Sequence, residues 1–138
     1  MIDRLRPLFT ALHPQPLAAE DAEAIIAISQ LVVDIDGREG PEEIKMFFAV
    51  GRLLHELAGT PDAEIPTFAS DEDDEARMFE LASQLKGAPA RELAYVIGRA
   101  LAATDLDVTI EEDTFLDRLR GILFISKPRA AELATLLR

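Results

Sequence analysis

A chain of 138 residues with 49% hydrophobic composition is long enough to bury one core and too apolar to stay disordered, so a single domain over residues 1–138 is expected. It has no cysteine and only two histidines, His13 and His55, far apart, which excludes disulfide frameworks and cysteine nucleophiles and disfavours transition-metal chemistry. Fourteen lysines and arginines against 26 aspartates and glutamates leave a formal charge of −12. That charge repels nucleic-acid phosphates and anionic membrane surfaces, and leaves a cation, a basic protein or simple solubility as its purpose.

The first fifteen residues, MIDRLRPLFTALHPQ, lack an apolar run long enough for a signal peptide, and nothing later reaches the length of a membrane span. The expectation is a cytoplasmic protein with no membrane insertion. A first helix is predicted over about residues 2–12, followed by a turn at His13-Pro14. From 18 to 34, Ala22, Ile25, Ile26, Ser29, Val32 and Val33 recur with helical spacing, and from 41 to 58 Ile44, Phe47, Phe48, Gly51, Leu54 and Ala58 do the same, predicting two amphipathic helices. Gly59, Pro61 and Pro66 then interrupt, and a loop is predicted over 59–70.

Ser70 is placed to cap a fourth helix whose acids, Asp71 to Glu75, sit where the positive end of the helix dipole favours them. That helix ends at Lys86-Gly87. A fifth is predicted over 88–105 with Leu93, Val96, Ile97, Ala100 and Leu101 on its apolar side, a sixth over about 109–123, and a last one opened by Ser126 and Pro128. Roughly seven helices and no convincing strand alternation make the fold class all-α, a single-domain bundle.

Shifted by 69 residues, the chain matches itself without a gap. AISQLVVDIDGREGPEEIKMFFAVGRLL (27–54) lies over VIGRALAATDLDVTIEEDTFLDRLRGIL (96–123). Each copy is a helix, an acidic loop and a second helix with glutamates in its first turn. Gly40-Pro41 opens the second helix in one copy and Thr109 in the other, where Thr109 and Glu112 form a capping box.

These residues resemble the TerB-like family, named for tellurite-resistance proteins. DGREGPEE is similar to that family's Asp-Gly-x-x-small-x-Glu-Glu signature, and DLDVTIEE repeats it. The resemblance covers about residues 20–138 and implies a helical bundle with pseudo-symmetric halves, an acidic surface where two loops approach, and a role in tellurite or other stress responses. Asp36, Gly37, Glu42 and Glu43 match the first motif, and Asp105, Glu111 and Glu112 the second. Leu106 replaces the glycine in the second copy, and Glu39 stands where an apolar residue is usual in the first.

As a twelve-residue EF-hand loop, VVDIDGREGPEE puts Asp34 and Asp36 at the third and fifth positions, Gly37 at the sixth and Glu43 at the twelfth. Val32 at the first position and Glu39 at the eighth depart from that pattern. A looser all-oxygen site is therefore the metal reading, with Asp34, Asp36, Glu43, Asp105, Asp107 and Glu112 as candidate ligands for Ca2+ or Mg2+. The plainer reading is that these acids cap helices and keep the surface soluble. The alternative function is a metal-independent interaction or immunity-type module that recognises a basic partner.

No nucleophile, phosphate loop or oxyanion donor pattern accompanies the carboxylates, so binding rather than catalysis is expected. His55, near a helix end, is expected to cap carbonyls or face solvent. Phe47, Phe48, Phe115 and Phe124 are expected in the core, Tyr95 is expected to bring its hydroxyl to a rim, and Arg99 and Arg118 are expected to pair with the loop acids.

Overall fold

The computed structural model describes residues 2–34, 41–60, 62, 74–85, 87–102 and 110–136, without the side chains of 2–4, 34, 43, 74, 75 and 110–113. Seven helices and no strand lie among the described residues: α1 (Ile2–Leu12), α2 (Ala19–Asp34), α3 (Pro41–Leu57), α4 (Asp74–Gln84), α5 (Ala88–Ala102), α6 (Ile110–Ile122) and α7 (Lys127–Thr135). The all-α class follows.

Helices α2 and α5 form the centre. α2 packs against α3, α4, α5 and α6, and α5 against α1, α3, α6 and α7. Between Ala24 and Val33 every residue of α2 is buried except the half-buried Ala27, so the amphipathic stripe expected from its sequence is in fact an almost continuous apolar surface. Ser29 is tolerated there because its hydroxyl donates back to the Ile25 carbonyl at 2.7 Å. α5 buries Leu93 through Gly98 and Ala100 through Ala102 in the same way. At Gly98 an added Cβ would lie 3.5 Å from Val32, 3.5 Å from Leu116 and 3.4 Å from Leu119. Side chains of α2 and α6 thus meet α5 at this one point, with room left for no more than a methyl group.

The backbone N–H of Leu17, just before α2, donates to the carbonyl of Leu57 at the end of α3 over 3.2 Å, so these helices run antiparallel as a hairpin. The buried face of α3 is Met46, Phe47, Val50, Leu53 and Leu54, at helical spacing. Two expected members are displaced from it: Ile44 and Phe48 are exposed. At 3.6 residues per turn they point about 120° and about 160° away from the centre of the stripe, onto the opposite side of the helix. Phe48 instead meets the ring of Phe47 edge-on, with centroids 5.2 Å apart.

The described helix ends use two kinds of stop. After α3, Gly59 adopts φ +77, its N–H donating to Glu56 O and that of Thr60 to His55 O. This is the left-handed cap that glycine fits without strain. After α6 the same pair of bonds recurs, Phe124 N–H to Gly121 O and Ile125 N–H to Arg120 O, but the left-handed residue is Phe124, at φ 60. A side chain there costs about 1 kcal/mol relative to glycine. α7 then starts as the sequence predicts, with Ser126 Oγ accepting from the Arg129 N–H and proline in the first turn.

Candidate functional site

Of the six candidate ligands, three fall on described backbone. Asp34 is the last residue of α2, while Glu43 and Glu112 are each the third residue of a helix, α3 and α6, where the helix dipole favours a negative charge. Their side chains, and Asp36, Asp105 and Asp107 entirely, lie outside what the structure describes. The structure does place the helices from which these segments issue. Val32 is two residues before the end of α2, Gly98 four before the end of α5, and the two are in contact. At about 1.5 Å of rise per residue, both helix ends lie within roughly one turn of that contact. A donor set composed only of carboxylates suits a hard cation such as Ca2+ or Mg2+ rather than Zn2+ or Cu2+. Among the described residues no three histidine, aspartate or glutamate side chains converge.

Close to this end, a polar cleft of about 320 Å3 opens between α5 and α6, lined by Tyr95, Arg99, Thr114 and Asp117. Tyr95 and Arg99 stand one turn apart on α5, and Thr114 and Asp117 one turn apart on α6, so each helix turns one polar pair to the cleft. Tyr95 buries its ring in the core at 4% exposure and still reaches the cleft, which is the rim position expected of it. Asp117 accepts from Arg120 Nε at 3.1 Å. Arg99, expected to neutralise a loop acid, lines the cleft and has no ion pair among the described residues. The cleft therefore offers hydroxyls, a guanidinium and a carboxylate, a mixture that orients a polar group without a nucleophile set beside a base. Thr114 and Asp117 carried no signal in the sequence beyond helical spacing.

The histidines divide. His13 donates through Nδ1 to the Gln15 carbonyl at 2.7 Å and holds a turn. His55, expected to cap or to face solvent, is buried at 3% exposure; its Nδ1 lies 3.2 Å from Thr60 Oγ1, and its Nε2 has no hydrogen-bond partner. The left-handed turn at Gly59 brings Thr60 back to the Nδ1 edge of the ring. Of the four phenylalanines expected inside, Phe47 and Phe115 are core residues, whereas Phe48 is 43% and Phe124 80% exposed. No family model, no curated protein and no solved structure matches this chain.

Proposed function

We propose that this chain is a TerB-like binding domain that acts in the cytoplasm, in a stress response of the tellurite-resistance kind. Its working surface is the pair of acidic segments following α2 and α5, which take a divalent cation. The observation that carries this reading is a shared register. α2 opens at Ala19 and α5 at Ala88, α3 at Pro41 and α6 at Ile110, so both pairs of starts are 69 residues apart, the offset at which the sequence matches itself. Burial follows the same offset: Ile25 with Ala94, Ile28 with Ile97, Val32 with Leu101, Phe47 with Leu116, Val50 with Leu119 and Leu54 with Leu123 are buried on both sides. Equivalent burial supports a duplicated unit, and the Val32–Gly98 contact supports the two copies acting together. Catalysis is not part of the reading: the described lining of the cleft between α5 and α6, Tyr95, Arg99, Thr114 and Asp117, sets no nucleophile beside a base.

A second reading is favoured by Arg99. A guanidinium with no ion pair among the described residues, three residues before the end of α5, opposes the approach of a divalent cation. A basic protein meets an acidic face over a wider area than a single ion does, so the alternative is a metal-independent interaction or immunity-type module that uses the cleft for polar contacts.

Thermal melting separates the two. If the cation reading holds, millimolar Ca2+ or Mg2+ raises the melting temperature by mass action, and Asp36→Asn or Asp105→Asn abolishes the rise. If neither ion moves it, the cation reading fails. The second reading then requires salt-sensitive capture of a basic protein that is lost when Glu42, Glu43, Glu111 and Glu112 are reversed to lysine; identical capture lists from both proteins would reject it.

A further inference from the structure

At the N-terminal end of α5 a separate cleft of about 210 Å3 lies against the turn between α6 and α7, bordered by Arg91, Glu92, Leu123, Phe124, Ile125 and Arg129. Phe124 is 80% exposed in a backbone conformation that glycine would adopt without strain, so neither burial nor backbone geometry accounts for an aromatic residue at this point. Strain kept at an exposed position is a mark of use. The guanidinium of Arg91 stands 5.7 Å from the centre of the Phe124 ring, a cation–aromatic pair, and it has no carboxylate partner among the described residues.

The frame around this pair is stiff. Arg129 donates through Nε and Nη2 to both oxygens of Glu92, at 2.8 and 2.9 Å, and through Nη1 to Glu132 at 2.9 Å. Arg120 holds the turn by donating to the Ile125 carbonyl at 2.9 Å. Along the turn itself the charge balance of the chain is reversed: residues 118–129 contain Arg118, Arg120, Lys127 and Arg129 and no acid, in a protein of net charge −12, while Glu92 on α5 and Glu132 on α7 answer Arg129.

We propose that this cleft is a docking site for an acidic peptide segment of a partner protein, which sets a carboxylate on Arg91 and an apolar side chain against Phe124 and into the cleft. Charge complementarity selects an acidic occupant, since of the two guanidiniums that line the cleft Arg129 is already paired while Arg91 has no ion pair among the described residues. The volume is below the about 300–1,000 Å3 usual for small-molecule sites, so it holds one side chain of a larger ligand. A single unpaired guanidinium on a strongly acidic chain does not track a phosphate backbone, which disfavours nucleic acid. This site is distinct from the acidic segments and stands or falls without them.

The test uses the full chain in fluorescence polarisation against labelled peptides, each with one phenylalanine, leucine or tryptophan among glutamates. The comparators are lysine-based and apolar-free peptides, a single-stranded oligonucleotide and anionic lipid vesicles. Selective binding of the acidic peptides that carry an apolar residue is expected, weakened about tenfold or more by Arg91→Ala and by Phe124→Gly. Because Phe124→Gly relieves the backbone, its melting temperature stays at or above that of the wild type, which separates lost binding from lost fold. The proposal is overturned if no peptide binds, if apolar-free peptides bind as well, or if both variants bind like the wild type. It is also overturned if the oligonucleotide or the vesicles, rather than the peptides, depend on Arg91 and Phe124.

Discussion

Phe124 shows how a single residue escapes sequence patterning. It follows Leu116, Leu119 and Leu123 in an apolar run, so periodicity assigns it to the core. Yet it occupies the left-handed position of the α6 cap, where the chain has already turned away from the helix axis. The backbone consequence is measurable: Phe124→Gly removes the left-handed strain and is expected to stabilise the fold by up to about 1 kcal/mol, partly offset by glycine's greater freedom in the unfolded chain. A rise in the urea midpoint at unchanged slope would establish this; a fall would mean that the exposed ring contributes more to folding than its burial suggests. His55 escaped for a related reason. Its helix-end position suggested solvent, but the Gly59 turn carries Thr60 back onto it.

Among the elements, α7 depends most visibly on one polar contact. It buries only Ala130 and Leu133, and the two-pronged Arg129–Glu92 pair ties it to α5. The hydrogen bonds from Arg129 hold the Glu92 carboxyl below its ordinary value of 4.5 against the opposing effect of burial, and the same bonds raise Arg129 above its own. A lowered folded-state value means that the pair stabilises the protein fully above the unfolded glutamate range and loses that contribution as the pH falls through the lowered value. Arg129 keeps 41% of its side chain exposed and Glu92 19%, so solvent screening limits the contribution to about 1 kcal/mol. Glu92→Gln is accordingly expected to lower stability by about that amount at neutral pH and to converge on the wild type in acid, once the pH has fallen through the lowered value of Glu92. Denaturant titrations at neutral and acid pH check it, and a difference that persists in acid would contradict the assignment.

At the scale of the whole molecule, the arrangement depends on the three-helix contact at Gly98. The distances from a built Cβ to Val32, Leu116 and Leu119 are those of ordinary van der Waals contact, so Gly98→Ala is expected to be tolerated and to gain helix propensity. Gly98→Val adds two methyl groups where three side chains already meet, and is expected to cost about 1–3 kcal/mol by overpacking. Thermal unfolding of the two variants distinguishes close packing from slack, since equal stability would mean that α5 can shift away from α2. The fold was legible from residues such as Ile25, Val32, Ile97 and Leu101, whose spacing alone places them inside, and from Ser126 and Pro128, which mark the start of α7. The candidate site was legible only in part. Tyr95 was expected at a rim and lines the cleft, Arg99 lines it too while the loop acids it was expected to meet lie outside the described residues, and Thr114 and Asp117 joined them through the packing of α6 on α5.

What the residues determined by themselves was local: seven helical segments, most of their inward faces, the caps at Gly59 and Ser126, the excess of negative charge and the 69-residue self-match. Each of these depends on neighbours within a few positions or on composition, and helical geometry translates such short-range information directly into side-chain direction. The tertiary structure decided the rest. It put α2 and α5 at the centre, left Ile44 and Phe48 outside, and brought Arg91 over Phe124. These outcomes turn on how many helices surround a given one and at what angle they cross. That is set by the packing of side chains distant in sequence, and no local pattern encodes it.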